Sequence, residues 1–200
     1  MHCKSLLASG TIFVVAALLT ACTAAPPTSS NAPSATATPG MAGVDHTTMP
    51  GMGAAPYDAL FIDSMIAHHE GAIAMAQQAL TSAERPEIRR LAEAIISTQQ
   101  AEISQMRAWR SAWYPDLAPT GGMQMDMGPM TIAGGNTPFD QRFIESMIPH
   151  HQGAIMMARD ALQKAEHQEI KALAQAIITA QESEIAQMRQ WLRQWYGITQ

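Results

Sequence analysis

The sequence has almost no cysteine: its two residues of this type, Cys3 and Cys22, both lie near the amino terminus. The rest of the chain offers no disulfide and no thiolate, so soft-metal chemistry there must come from methionine and histidine. Charged residues make up only 14% of the chain, the net charge is −5, and no run of Lys or Arg occurs. That balance argues against nucleic-acid binding. Strand patterns, a phosphate-binding loop and a Ser-His-Asp order are also missing, which favours an all-α protein that is not an enzyme.

The one long apolar run, Leu6 to Leu19, is too short to cross a bilayer comfortably. It ends in the sequence LTAC at residues 19–22, which resembles the lipobox of a bacterial lipoprotein signal. This resemblance implies that residues 1–22 are a signal peptide, that Cys22 carries lipid, and that the protein is anchored in the cell envelope, facing the periplasm or the extracellular side. A plain signal peptide or an uncleaved anchor is the alternative.

Residues 23–53 are rich in Ala, Pro, Thr, Ser and Gly, a composition typical of a flexible tether. The last part of this tether departs from that composition, because it contains His46, Met49 and Met52. These side chains are soft or borderline metal ligands. We therefore include them as auxiliary candidates for metal binding.

An internal repeat organises the remainder of the chain. Shifting the sequence against itself by 82 residues aligns a first copy, 57–114, with a second copy, 139–196, and 33 of the 58 positions are identical. Such a repeat indicates a supersecondary unit that cannot bury its apolar face alone. We predict that residues 54–114 and 138–200 form two helical hairpins, joined by a Met-rich linker at 115–137. Together they should close into one ferritin-like four-helix bundle.

Apolar residues recur with a helical period twice in each copy. In the first copy this pattern predicts helices over 57–82 and 86–114, with Leu80 on the buried arc of the first and Pro86 in the first turn of the second. In the second copy, Thr137 is predicted to cap the first helix.

The predicted buried faces carry polar side chains that a bundle core normally lacks. The histidine pairs 68–69 and 150–151 lie on the first helix of each copy, and Glu102 and Glu184 lie on the second. Burying such groups is costly unless they meet one another, a metal or water. Adjacent residues point about 100° apart on a helix, so the two rings of a pair need different partners. A satisfied polar network without metal is the alternative.

Methionine is abundant, with 15 residues in the chain. Core packing explains most of those in the predicted helices. Met123, Met125, Met127 and Met130 lie instead in the linker, which has no helical period. Thioethers are soft donors suited to Cu(I) and Ag(I). We therefore predict that the linker captures metal; the alternative is a linker that only docks on the bundle.

The sequences MIAHHEGAIAMA at 65–76 and MIPHHQGAIMMA at 147–158 are each followed by the pattern QxxEIxxM, at 99–106 and 181–188. These motifs resemble the DUF305 family. The resemblance implies a ferritin-like helical fold in a bacterial envelope protein, and some members of the family are linked to copper binding and tolerance. Pro149 stands where the first copy has Ala67, so the two sites are expected to differ in geometry.

Our leading hypothesis is a lipid-anchored, extracytoplasmic protein that binds copper, as Cu(I), or Ag(I). Its expected partners are a metal ion and, through the lipid, the membrane; the sequence leaves self-association open. Glu102 and Glu184 would orient imidazoles or occasionally bind directly. The candidate ligands are His68, His69, Met75 and Met106 in the first copy, His150, His151, Met157 and Met188 in the second, and the auxiliary residues His46, Met49, Met52, Met123, Met125, Met127 and Met130.

Two other classes of protein compete with this hypothesis. One is a structural or partner-binding envelope lipoprotein without metal. The other is a ferritin-like di-metal oxidoreductase, which needs a Glu-x-x-His motif on two helices. Met65 and Met147 stand three residues before His68 and His150, where that motif requires Glu. We therefore favour a binding protein over an enzyme.

Overall fold

The computed structural model describes residues 55–199, in which four α-helices follow one another and no strand occurs. The helices are α1 (Tyr57–Ser82), α2 (Pro86–Trp113), α3 (Phe139–Lys164) and α4 (Gln168–Tyr196). Helix α1 packs along α2, α3 packs along α4, and α1 contacts α3 between the two hairpins. The predicted all-α bundle of two repeated helical hairpins is confirmed.

The predictions about the signal peptide, Cys22, the tether and its ligands His46, Met49 and Met52 lie outside the described residues. Lipid anchoring therefore stays a prediction. Within 55–199, no helix is both long and apolar enough to cross a membrane.

Each hairpin caps a helix of the other hairpin through a buried carboxylate. Asp58 in α1 accepts hydrogen bonds from the backbone N–H groups of residues 166 and 167, before α4, at 3.0 and 2.9 Å. Asp140 in α3 accepts the equivalent bonds from residues 84 and 85, before α2, at 3.0 and 2.9 Å. The first N–H groups of a helix lack partners within it. These reciprocal bonds therefore fix the turn immediately before each of the two helices and join the hairpins.

Two local predictions were wrong. Thr137 does not cap α3, because Pro138 occupies the N-cap and no side-chain cap hydrogen bond is present. The threonine stands one residue too early for its hydroxyl to serve the first turn. Leu80 is 36% exposed rather than buried, since it lies in the last turn of α1 at the edge of the predicted arc.

The linker is fastened to both hairpins by equivalent serines. Near its start, the backbone N–H of Met123 donates to Ser64 Oγ in α1 at 2.7 Å. Near its end, the N–H of Ala133 donates to Ser146 Oγ in α3 at 3.0 Å. The segment between these two hydrogen bonds therefore crosses from α1 to α3 and contacts the rings of His68 and His150.

Candidate metal centre

The first histidine of each pair lies at the contact between α1 and α3. His68 and His150 are fully buried, and their rings stack with centroids 3.7 Å apart and planes inclined by 25°. Each histidine is placed there because it lies on the apolar face of its helix, among core residues such as Phe61 and Phe143. The structure thus joins two histidines that are 82 positions apart in the chain.

Backbone carbonyls fix which nitrogen of each ring carries a proton. The Nε2–H of His68 is shared between the carbonyl oxygens of Met127 and His150, at 3.0 and 3.1 Å. The Nδ1–H of His150 donates to the carbonyl oxygen of Pro129 at 2.7 Å. Since a carbonyl only accepts, these assignments leave the lone pairs on His68 Nδ1 and His150 Nε2. Both of those atoms are buried and have no hydrogen-bond partner.

Both rings are held in the neutral form. Burial, and next the neighbouring His150, lowers the pKa of His68 to about 2. Burial lowers the pKa of His150 to about 4. Charged imidazolium would lose its hydration at this depth without a carboxylate to replace it. A neutral imidazole is also the form that binds metals.

The second histidine of each pair turns to the other helix of its own hairpin. His69 Nε2 donates to Glu102 Oε2 at 2.7 Å, and His151 Nε2 donates to Glu184 Oε2 at 2.6 Å. In the neutral ring, Nδ1 then carries the lone pair, and this atom is buried without a partner in both residues. The expectation that the two rings of a pair have different partners is confirmed.

Met130 is the linker methionine that the structure places beside a histidine. A Cβ added at Gly71 would lie 2.5 Å from Met130 Cε, 3.2 Å from its sulfur and 3.4 Å from His150 Cε1. The thioether of Met130 and the ring of His150 therefore lie side by side against Gly71 of α1. Met123, Met125 and Met127 are partly buried and pack against the hydrophobic core. The linker docks on the bundle, and metal capture by its methionines stays a prediction.

The four helical methionines predicted as ligands are fully buried core residues, and packing accounts for them without a metal: Met75, Met106, Met157 and Met188. Among residues 55–199, no three His, Cys, Asp or Glu side chains converge to hold a metal ion. Neutral imidazole with thioether is a donor set suited to soft monovalent ions.

Three glycines contribute to the site and were missed by the sequence reasoning. A Cβ at Gly153 would lie 2.4 Å from the Met127 carbonyl oxygen, and Gly71 makes the matching close approach to Met130. Gly128 has φ +71°, and a Cβ there would lie 2.4 Å from the Pro149 carbonyl oxygen. Glycine inside a helix costs about 1 kcal/mol relative to alanine. Its presence three residues after His68 and again after His150 was therefore a readable signal of close approach.

Known proteins resemble this chain over most of its folded region. The model of the family described as "Domain of unknown function (DUF305)" matches residues 15–110 and 115–192. Among curated proteins, no significant match is found.

Three solved structures illustrate the likeness. CopM in the Cu(I)-bound form is 42% identical, with a TM-score of 0.61, over 70% of this chain and 98% of that chain. CopM co-crystallised in the Ag-bound form is 41% identical, with the same TM-score of 0.61 and the same coverage of 70% and 98%. A DUF305 fragment from Deinococcus radiodurans is 27% identical, with a TM-score of 0.58, covering 70% of this chain and 98% of that chain. The chain therefore belongs to the DUF305 family.

Proposed function

We propose that this protein binds copper as Cu(I), and Ag(I) at the same positions, through neutral imidazoles and thioethers inside the bundle. The observation that carries the proposal is the set of four buried imidazoles, each with one nitrogen held by a hydrogen bond and the other left without a partner. An unpaired polar atom in a core is costly, so a ligand that uses it is favoured. The CopM structures, which are Cu(I)-bound and Ag-bound forms, support the choice of metal.

The proposed centre uses His68, His150 and Met130. The bare His68 Nδ1 and His150 Nε2 supply nitrogen donors, and Met130 supplies sulfur. The carbonyls of Met127 and Pro129 hold the opposite edges of the two rings, so binding does not require those hydrogen bonds to break. Such fixed orientation is the usual role of groups behind a metal-binding histidine.

His69 and His151 are proposed as further ligands in their own hairpins. Glu102 and Glu184 accept from the Nε2–H groups and so direct the Nδ1 lone pairs inward. Carboxylate–imidazole pairs of this kind raise the basicity of a metal ligand. Met75 and Met106, with Met157 and Met188, are the core thioethers proposed to serve them.

We further propose that the protein is tethered by lipid at Cys22 in the cell envelope and acts by binding rather than by catalysis. The linker methionines Met123, Met125 and Met127 and the tether residues His46, Met49 and Met52 would collect metal at lower affinity. Thioethers and imidazoles suit a compartment where thiols do not persist.

Equilibrium dialysis of the purified protein against Cu(I) under reducing conditions, and against Ag(I), tests the proposal. The protein should take up either ion, and should discriminate against Zn²⁺ because a thioether is a poor zinc ligand. His68→Ala should reduce the amount of ion bound. Met130→Leu should weaken uptake about tenfold, whereas Met156→Leu, at a methionine that is 47% exposed, should not.

No uptake of either ion would contradict the proposal and leave a structural lipoprotein. Iron in the protein purified from its native envelope, together with oxygen or peroxide consumption, would instead support the di-metal oxidoreductase.

A further inference from the structure

The second copy has an open groove on its outer side, which adjoins the histidine cluster at Gly128 and Gly153. It has a volume of about 650 Å³ and is lined by α3, α4 and the linker residues Asp126 and Gly128. Ile155 and Ile185 form apolar lining, and Met156 is 47% exposed. Grooves of roughly 300–1,000 Å³ with apolar walls and a few polar groups are typical of small-molecule sites.

A cationic group in this groove lacks the partner that its counterpart has in the first copy. Arg107 in α2 forms an ion pair with Glu70 in α1, at 2.6 Å. The equivalent residues in the second copy are Arg189 and Gln152. The repeat has kept the arginine and replaced the acid by a neutral amide.

The consequence is visible at Arg189. Its Nε is buried and has no hydrogen-bond partner, and none of the ion pairs within residues 55–199 includes this side chain. The nearby Arg159 is different, because its guanidinium is paired with Glu182 at 2.8 Å. A partly buried guanidinium without an acceptor favours an anion, and its forked donors suit a carboxylate.

We propose that this groove binds a small molecule that carries a carboxylate on an apolar body. The carboxylate takes the position on Arg189 that Glu70 takes on Arg107 in the first copy. The apolar body lies against the exposed Met156 and against the edges of Ile155 and Ile185, which are largely buried beneath the groove. None of the four groups proposed to contact this ligand is a proposed metal ligand, so the inference does not rest on the copper centre.

Octanoate is a suitable probe, since it has one carboxylate and an apolar chain. Calorimetric titration of the metal-free protein with octanoate should give saturable, one-to-one binding. Octanol, which lacks the charge, and acetate, which lacks the chain, should each bind at least about tenfold more weakly.

The two copies provide matched variants. Arg189→Gln should weaken octanoate binding by about tenfold or more, and Arg107→Gln, the same change in the first copy, should leave it unchanged. Gln152→Glu should also weaken binding about tenfold, because it supplies the carboxylate found in the first copy. This variant removes no buried group, so it tests the site even if Arg189→Gln fails to fold.

Absence of saturable octanoate binding, or binding that is equal in the wild type and Gln152→Glu, would overturn the proposal. Equal binding of octanol would overturn it as well, because the guanidinium would then have no role.

Discussion

The first histidine of each pair, His68 or His150, forms different hydrogen bonds in the two copies, whereas the second histidine of each pair forms the same hydrogen bond in both. His68 donates from Nε2 and His150 from Nδ1, whereas His69 and His151 both donate from Nε2 to a glutamate. The glutamate contacts lie within one hairpin, so duplication of the hairpin duplicates them. The linker contacts cannot be duplicated, because one chain segment crosses both copies in a single direction. A single linker thus makes two nearly identical half-sites unequal.

The largest expected effect concerns acid stability, where the two histidines should differ. The folded-state pKa values of His68 and His150, about 2 and about 4, lie below the ordinary value of 6.5. Below pH 6.5 the unfolded chain therefore binds more protons than the folded protein does. The stability that the two neutral histidines contribute above pH 6.5 is lost as the pH falls below that value. At pH 5 each histidine should lower the free energy of unfolding by about 2 kcal/mol, and the two together by about 4 kcal/mol.

Urea unfolding of the metal-free protein between pH 7 and pH 3 measures this loss. In the wild type, His150 should lower the free energy of unfolding as the pH falls to about 4, and no further below that. His150→Gln should therefore remove a loss of stability that is complete near pH 4. His68→Gln should remove a loss of stability that still increases between pH 4 and pH 3. Identical pH profiles for the two variants would contradict the asymmetry.

The reciprocal caps give the next largest effect. Asp58 accepts from residues 166 and 167 and also from His167 Nδ1, at 2.6 Å, whereas Asp140 accepts only two backbone N–H groups. Replacing either by Ala leaves partly buried donors unpaired, so Asp140→Ala should lower the free energy of unfolding by about 2 kcal/mol and Asp58→Ala by about 3 kcal/mol. Denaturant unfolding at pH 7 checks both values. A larger loss for Asp140→Ala would show that the contact with His167 adds nothing.

Substitution of the two helix glycines by alanine gives the smallest effect. The pair of variants distinguishes a Cβ that clashes with backbone from one that clashes with a side chain. In Gly153→Ala the new Cβ meets the Met127 backbone, whereas in Gly71→Ala it meets the flexible end of Met130. Alanine favours a helix by about 1 kcal/mol over glycine, which should offset the small repacking in Gly71→Ala. Gly153→Ala must displace the linker and should be less stable than Gly71→Ala by about 2 kcal/mol. Thermal unfolding of the two variants measures the difference, and equal midpoints would mean that the linker yields freely.

Much of the site could be read from the sequence, because its inner contacts follow from helical periodicity. The spacing from His69 to Glu102 places both residues on facing arcs of one hairpin, and the structure joins them. The linker was recognisable as Met-rich, but its docking was only one of two alternatives. Nothing in the order of residues 123–130 indicated that Met130 reaches Gly71, or that the carbonyls of Met127 and Pro129 meet the imidazoles.

The sequence by itself determined the duplicated hairpins, the burial of the paired histidines and the soft character of the donors, since each of these depends on residue type and local period. Only the tertiary structure decided that His68 stacks on His150, which nitrogen of each ring keeps its proton, and that Asp58 and Asp140 cap helices of the opposite hairpin. These contacts join residues 55 to 109 positions apart. They depend on how the hairpins pack, which local periodicity does not specify.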